Sequence, residues 1–325
     1  MQNFEQEMIK KLMNKNKTIH INITNRCNAK CKHCINQEGK TVLGEASLDD
    51  VKEWIRQVAK TDYKNINFVG GEPFLLLRDL QEYSELGAEL GLTIGVTTNG
   101  FWGKTKESAI ETLEKVPYVK KILVSTDSFH QEFFDIETIY HVVDACLQKK
   151  RFIAVNAVCK NKEECEKVKD QFAKYKSRVY VNTAPVMPEG SAKHIQDELE
   201  CFNLQECQQN LSSYCGIREH YIDCTGGISA CCMSTLMLDQ NVLYLGNLNQ
   251  DTLEGILQMK CKNPVIKKIE EEGPLGLYQF IKAYGYENEL NRSYSGDCEF
   301  CKTVLSNKKI LQKLIEIEKS NELPI

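Results

Sequence analysis

Hydrophobic and polar positions follow two alternating patterns from Thr18 to about Ala184. Six short segments are rich in β-branched and aliphatic residues, which is typical of buried strands. They are Thr18–Thr24, Asn65–Val69, Leu92–Thr98, Val119–Thr126, Phe152–Val158 and Arg178–Ala184. The charged segments between them carry apolar residues at helical spacing, namely Ser47–Lys60, Asp79–Leu90, Lys106–Lys115, Ile136–Lys149 and Lys162–Tyr175. Strands that alternate with helices indicate βαβ units, a parallel sheet and right-handed crossovers.

The number of these units limits the architecture. Six βα units are too few for a closed eight-stranded barrel. We therefore expect an α/β fold that begins with a partial (β/α)6 TIM-like barrel, with a doubly wound sheet as the alternative. Ser47, three residues before Asp50, has the Ser-x-x-acidic spacing that starts a helix, so the first helix is predicted to begin there.

The pattern changes near residue 190, where the strands become short. A β-hairpin is predicted from Tyr221–Asp223 and Ile228–Cys231, and Thr252–Met259 and Lys302–Lys319 are predicted helices. The chain is thus divided into an N-terminal extension (residues 1–17), a partial barrel (18–190), a small C-terminal α+β domain (191–304) and a C-terminal helix (305–325).

Composition excludes several classes of partner and raises one question. The 41 Lys and Arg residues are balanced by 45 Asp and Glu residues, which leaves no basic field for nucleic acid. No apolar run reaches the ~18–20 residues that span a membrane, and the N-terminus lacks a secretory signal. We expect a cytoplasmic protein that binds neither nucleic acid nor membrane. Its 15 cysteines are then the unusual feature, since disulfides rarely persist there and clustered cysteines indicate metal or catalytic sites.

The first cysteine cluster follows the first predicted strand directly. Cys27, Cys31 and Cys34 form a Cys-x3-Cys-x2-Cys motif at a strand end, where parallel α/β folds carry their chemistry. Three thiolates can hold three corners of a 4Fe-4S cluster and leave one iron without a protein ligand. Zinc is the alternative metal, since His33 lies between two of the cysteines.

Further motifs follow the next three strands: Gly70-Gly71-Glu72-Pro73, Thr97-Thr98-Asn99-Gly100 and Ser125-Thr126-Asp127. Together with the cysteines, and in this order, they closely resemble the radical S-adenosylmethionine (SAM) enzymes over residues 18–184. The resemblance implies a 4Fe-4S cluster whose open iron binds SAM. It also implies that cleavage of SAM yields a 5′-deoxyadenosyl radical, which abstracts hydrogen from a substrate.

The same resemblance implies roles for single residues around SAM. Glu72 and the neighbouring backbone would hold the methionine amino group, and Gly70 and Gly71 would let the backbone approach the ligand without an intervening Cβ. Pro73 makes a cis peptide bond plausible.

The remaining residues that the resemblance assigns lie at other strand ends and in the cysteine loop. Ser125 and Asp127 would accept hydrogen bonds from the ribose, and Asn99 would assist at the ribose or methionine end. His33 would pack near the adenine. His130 follows the fourth strand, where it is either a substrate contact or an ordinary loop histidine.

A second cysteine cluster lies in the C-terminal region. Cys215, Cys232 and the pair Cys298-x2-Cys301 resemble the SPASM extension of radical SAM enzymes, or its shorter form, Twitch. The resemblance implies an auxiliary 4Fe-4S cluster, and four cysteines favour the single-cluster Twitch form. Zinc is the alternative for this site taken alone.

Cys231 stands next to Cys232, and neighbouring side chains of a strand point to opposite faces, so both are not expected to bind one cluster. If Cys232 is the ligand, Cys231 is left as a thiol that can donate a hydrogen atom to a substrate radical. The alternatives are that Cys231 is a packed apolar residue or that the two exchange roles. Cys224 is a weaker candidate for the donor.

These features lead to a functional expectation. We expect a radical SAM enzyme with two 4Fe-4S clusters that modifies a ribosomally made precursor peptide, by L-to-D epimerisation of its residues. Peptide thioether or carbon–carbon crosslinking is one alternative, and a non-enzymatic zinc or iron–sulfur protein is another. The expected partners are the peptide and an electron donor such as flavodoxin or ferredoxin.

Overall fold

The computed structural model describes residues 17–35, 44–215, 219–232, 242–260, 262–290 and 293–321. The predicted extension therefore lies almost wholly outside the described residues, as do residues 322–325. The described strands are β1 (Thr18–Thr24), β2 (Asn65–Gly70), β3 (Thr93–Thr98), β4 (Val119–Ser125), β5 (Phe152–Cys159), β6 (Tyr180–Pro185), β7 (Phe202–Asn203), β8 (His220–Ile222), β9 (Gly227–Ser229), β10 (Tyr244–Asn247) and β11 (Ser293–Tyr294).

The described α-helices are α1 (Leu48–Ala59), α2 (Leu77–Glu89), α3 (Lys106–Lys115), α4 (Ile136–Gln148), α5 (Lys162–Phe172), α6 (Cys207–Asn210), α7 (Leu253–Lys260), α8 (Pro264–Ala283), α9 (Asp297–Ser306) and α10 (Lys308–Asn321). Shorter 3-10 helices cover Pro73–Leu76, Ala173–Arg178, Gly190–Glu198, Leu204–Glu206 and Glu287–Glu289.

The first six strands form a parallel sheet in sequential order, β1-β2-β3-β4-β5-β6. Because right-handed crossovers that all step in one direction keep the helices on one side, this order gives a partial barrel. A doubly wound sheet would reverse its strand order, so that alternative is wrong. The helix side of the strands is apolar, with residues such as Ile21, Phe68, Val96 and Val155 buried in one core with Trp54. The predicted α/β partial barrel is confirmed.

Local signals explain most element boundaries in the barrel. Ser47 caps α1, and its hydroxyl accepts a hydrogen bond from the Asp50 N–H at 3.1 Å. Pro73 begins a 3-10 helix, where its fixed φ and missing N–H suit the first turn. The described residues contain no cis peptide bond, so the suggested cis bond before Pro73 is wrong.

The C-terminal region extends the same sheet. Strand β8 pairs parallel with β1, and β9 and β10 follow in antiparallel order. The predicted hairpin is present, with Ile222 opposite Ile228. Its second strand ends at Ser229, however, so the prediction of a strand through Cys231 is wrong.

A second core lies among α8, α9 and α10, with Ile269, Leu277, Phe300 and Leu314 buried in it. The single helix predicted over Lys302–Lys319 is wrong: α9 and α10 are separate. Asn307 divides them, because its side-chain oxygen accepts hydrogen bonds from the N–H groups of Lys309 and Ile310 and so caps α10. In the described part of the chain no helix is long and apolar enough to cross a membrane.

Candidate active site

A cavity of about 500 Å³ opens at the carboxyl ends of the barrel strands. Its walls are the cysteine loop after β1, the ends of β2 to β6 and the segment Ser295–Glu299 at the start of α9. The position agrees with the general rule that parallel strands carry their binding sites at this end.

The three cysteines of the first cluster all line this cavity. Cys27 is exposed, Cys31 is buried and Cys34 is partly buried. Burial raises the pKa of the Cys31 thiol to about 12, and the charges of Asp127, Cys34 and Cys27 add to the shift. The loop is fixed by the Cys34 N–H, which donates to the Cys31 carbonyl at 3.0 Å. Three thiols on the wall of one cavity fit the predicted cluster ligands.

Gly70 and Gly71 lie where β2 meets the cysteine loop. A Cβ on Gly70 would lie 2.1 Å from the Thr24 carbonyl oxygen, and one on Gly71 would lie 2.1 Å from that of Arg26. The Gly71 N–H also donates to the Thr24 carbonyl at 2.7 Å. Both glycines line the cavity, but the close approach that requires them is to the chain itself, so they fix the position of the cysteine loop.

Glu72 is fully buried, and it is not among the described residues that line the cavity. Its carboxylate accepts hydrogen bonds from the Phe74 N–H, the Thr98 hydroxyl and the Asn99 N–H, at 3.0, 2.8 and 2.7 Å. Burial raises the pKa of Glu72 to about 7, although the three hydrogen-bond donors act to lower that pKa. In this arrangement Glu72 ties the end of β2 to the end of β3.

Asn99 and Ser125, to which the resemblance assigns SAM contacts, both line the cavity. The Asn99 amide donates to Asn28 at 2.7 Å and lies 3.9 Å from the Cys27 sulfur. The sequence motifs do not include Asn28 or Asn156. Asn156 lies on β5 opposite Ser125 of β4 and lines the cavity, and its place beside the end of β4 is the signal by which it could have been found.

Asp127 is buried, and both of its carboxylate oxygens accept hydrogen bonds from other residues of the chain. One accepts from the N–H groups of Phe129 and His130 and from the His130 ring, while the other accepts from the Val158 N–H at 3.1 Å. Burial alone would raise the pKa of Asp127, but the hydrogen bond and charge of His130 outweigh it and lower that pKa. His33 lies 3.8 Å from the second oxygen.

His33 packs between rings at the cavity wall. It stacks on Phe129 at 4.7 Å between ring centroids, and its Nδ1 has no hydrogen-bond partner among the described residues. Burial lowers the pKa of His33 to about 4, so the ring is neutral at physiological pH. Ligand atoms of Cys31, His33 and His130 lie within 4.8 Å of one another, which extends the potential metal ligands to His130.

The four cysteines of the second cluster also come together. Burial raises the pKa of the Cys298 and Cys301 thiols. The charges of Cys232 and Cys215 add to the shift at Cys298, and those of Cys215 and Cys298 add to the shift at Cys301. Cys298 itself lines the cavity of the first cluster. The donor set fits an iron–sulfur or zinc centre beside that cavity.

Cys231 and Cys232 are in direct contact. The Cys231 thiol donates to the Cys232 sulfur and lowers the pKa of Cys232 to about 7, and the charge of His20 acts in the same direction. Because both residues follow the end of β9, the expectation of opposite faces on a strand is wrong.

Neither of the two proposed donor thiols is among the described residues that line the cavity. Cys231 is buried outside the described lining. Cys224 accepts a hydrogen bond from the Asn25 side chain at 3.3 Å, and Asn25 lines the cavity.

Comparison with known protein families matches residues 21–200 to the Radical SAM superfamily. The chain belongs to this superfamily. Membership implies a 4Fe-4S cluster and SAM, and the thiols of Cys27, Cys31 and Cys34 at the cavity fit that cluster.

Relatives extend the comparison beyond the barrel. The "Putative peptide biosynthesis protein YydG" of Bacillus subtilis (strain 168) is 22% identical over 298 residues, which cover 90% of this chain and 93% of the relative. A "GTP 3',8-cyclase" of Listeria monocytogenes is 30% identical over 120 residues, or 36% of this chain and 35% of that protein. The solved structure "Native anSMEcpe with bound AdoMet and Kp18Cys peptide" has a TM-score of 0.56 at 14% identity and covers 94% of this chain and 99% of its own. That likeness confirms the fold.

Proposed function

We propose that this radical SAM enzyme modifies a ribosomally made peptide by converting L-residues to D-residues. The observation that carries the proposal is that a cavity lined by Cys27, Cys31 and Cys34 also has Cys298 in its wall and Cys224 next to Asn25 at its edge. The similarity to a peptide biosynthesis protein over 90% of the chain supports a peptide as substrate.

In this proposal Cys27, Cys31 and Cys34 hold one 4Fe-4S cluster, and Cys215, Cys232, Cys298 and Cys301 hold an auxiliary one. When bound, the first cluster and SAM supply a 5′-deoxyadenosyl radical that removes the hydrogen atom from a peptide Cα. The neutral ring of His33 offers a flat surface on which the adenine can stack. Ser125 contacts the ribose. Asn156, also in the cavity wall, is added to the predicted ribose contacts, because four donors already use the oxygens of Asp127.

A protein thiol completes the epimerisation. Its S–H bond breaks and a new Cα–H bond forms on the opposite face of the planar radical. The thiyl radical left on the cysteine then takes an electron from an external reductant, such as flavodoxin or ferredoxin, and a proton from water. Cys231 is the donor predicted from the sequence. Cys224 is the candidate that the contact with Asn25 favours.

The test uses any short peptide that a search of the reading frames beside this gene identifies, incubated in D2O with the reduced enzyme and SAM. We expect each converted residue to gain one solvent deuterium and to appear as a D-amino acid after hydrolysis. Replacing the donor, in Cys224→Ala or Cys231→Ala, should stop deuterium uptake while 5′-deoxyadenosine still forms. Cys146→Ala is the matched control, since Cys146 is buried in the barrel core away from the cavity. Uptake that survives both donor replacements would refute epimerisation by a thiol.

Crosslinking of the peptide is the second candidate, and the position of Cys298 favours it. An auxiliary cluster held in the cavity wall would lie beside the substrate, as oxidation of a substrate radical requires, and no donor thiol would be needed. The mass of the product separates the two reactions. Crosslinking removes two hydrogen atoms, whereas epimerisation in H2O leaves the mass unchanged.

A further inference from the structure

Strand β6 is the open edge of the barrel sheet. In the described part of the chain it pairs with β5 alone, in a continuous register from Ala154 opposite Tyr180 to Cys159 opposite Pro185. Exposed edges are usually protected by charged side chains, bulges or short length. This strand, Tyr-Val-Asn-Thr-Ala-Pro, has six residues, no charge and no bulge, and proline only at its last position.

The pairing with β5 leaves a defined set of backbone groups on the open side. The Val186 N–H donates to the Cys159 carbonyl at 3.0 Å, which fixes the alternation along the strand. Residues at alternate positions direct their backbone groups to the same neighbour, so Val181 and Thr183 direct their N–H and C=O groups away from β5. These four groups can pair with one further strand.

The cavity-facing side of the same edge is also exposed. Phe152 and Tyr180 are 53% and 62% exposed, and register places Tyr180 opposite Ala154, two residues after Phe152 on the same face. Asn156 and Asn182 follow as the next cross-strand pair, with their side chains joined at 3.2 Å. An aromatic patch and an amide pair therefore lie along this side of the edge.

This edge leads into the active-site cavity. Asn156, Val158, Ala184 and Pro185 belong to the two strands and also line the cavity. At about 3.3 Å per residue, a strand paired with Val181 and Thr183 reaches Pro185 within two or three further residues. Beyond Pro185 the wall continues with Gly296, on which a Cβ would lie 2.6 Å from the proline ring.

We propose that the substrate peptide binds as an added strand on the open edge of β6, with the residue to be modified carried past Pro185 into the cavity. This inference rests on the proposed peptide substrate and specifies how that peptide is held. The backbone of Val181 and Thr183 binds the peptide backbone, which suits any sequence. Phe152 and Tyr180 select an apolar or aromatic side chain upstream of the modified residue.

The test measures peptide binding and does not depend on turnover. A displayed library of random dodecapeptides is selected on the full chain with its clusters and SAM bound, and amide hydrogen exchange of the protein is followed with a selected peptide. We expect slower exchange at Val181 and Thr183. Thr183→Pro should weaken binding about tenfold, because it removes one hydrogen bond and leaves a peptide carbonyl unpaired. Thr183→Val keeps the N–H and should bind as the wild type does.

A second variant avoids any change to the backbone. Tyr180→Ala should weaken binding several-fold, whereas Met259→Ala, at a 73% exposed position on α7, should not. The inference is overturned if no peptide is selected, if selected peptides protect other segments, or if both β6 variants bind normally. Protection of β6 by a selected peptide supports this inference whether or not that peptide is converted, so the inference can stand where the D2O test refutes the proposed function. Conversion of a peptide without protection of β6 would refute this inference alone.

Discussion

Glu72 belongs to the motif that this chain shares with radical SAM enzymes, but in the structure its carboxylate binds groups of the chain itself. Its buried carboxylate accepts three hydrogen bonds from the 3-10 helix after β2 and from the end of β3. The sequence identifies the motif, because four short patterns occur in order at strand ends. It does not reveal that this carboxylate is buried and bonded to the chain, since that depends on Thr98 and Asn99, which lie more than 20 residues further along.

The raised pKa of Glu72 predicts a pH dependence of stability. The folded state holds this proton up to about pH 7, whereas the unfolded state loses it near 4.5. The stability that protonated Glu72 provides is therefore fully present below about pH 4.5, and it is lost as the pH rises through about 7. Relative to Glu72→Gln, the free energy of unfolding of the wild-type apoprotein should fall between about pH 5 and pH 8, by up to about 3 kcal/mol. Urea unfolding at both pH values measures this difference, and an unchanged difference would contradict it.

The close contact at Gly71 predicts that adding a single methyl group there will weaken cluster binding. A Cβ there would lie 2.1 Å from the Arg26 carbonyl oxygen, so Gly71→Ala should displace the loop that carries Cys27 and lower the iron content. Gly255→Ala is the control, since its Cβ would meet only the Thr252 hydroxyl at 3.3 Å within helix α7. Equal iron contents in the two purified variants would show that the loop does not need this glycine.

At the scale of elements, local patterns account for most of what was predicted. Strand β1 begins and ends as predicted, and α1 begins after Ser47, because alternation and capping are local signals. Two predictions in the C-terminal region, the single helix over Lys302–Lys319 and the strand through Cys231, are wrong because the hydrophobic pattern alone does not mark where an element ends. Asn307 caps a new helix inside an apolar pattern that looks continuous, and β9 stops at Ser229 although the apolar residues Ala230 and Cys231 follow.

Removal of the cap on α1 tests how much that local signal contributes. Ser47→Ala removes the acceptor of the Asp50 N–H and should lower the free energy of unfolding by about 1 kcal/mol. Ser177→Ala, at an exposed position with no described hydrogen bond to its hydroxyl, should change it little. A cap variant as stable as this control in urea would mean that tertiary packing alone starts the helix.

At the scale of the whole molecule, the cysteines are brought together by topology. Strand β8 adds to β1, so that the C-terminal region packs beside the barrel, and α9 presents Cys298 to the cavity of the first cluster. The sequence predicts the first cysteine set from its spacing, and the resemblance to the SPASM or Twitch extension implies the second. It does not predict a shared cavity, because that depends on how two cores separated by many residues pack against each other.

The shared cavity predicts two separable metal centres. A variant in which Cys298 and Cys301 are both replaced by alanine should lose about four irons per chain, because only two of its four thiolates remain. Cys27, Cys31 and Cys34 should keep about four. Iron and sulfide analysis after anaerobic reconstitution measures this loss, and Cys146→Ala is the control. Loss of all iron from the double variant would mean that the two sites do not assemble independently.

The most direct measurement is the release of 5′-deoxyadenosine from SAM by the anaerobically reconstituted, reduced enzyme. We expect release by the wild type and by Cys298→Ala, and none when Cys27, Cys31 and Cys34 are all replaced by alanine. Release by that triple variant, or no release by a wild type with both centres filled, would contradict it.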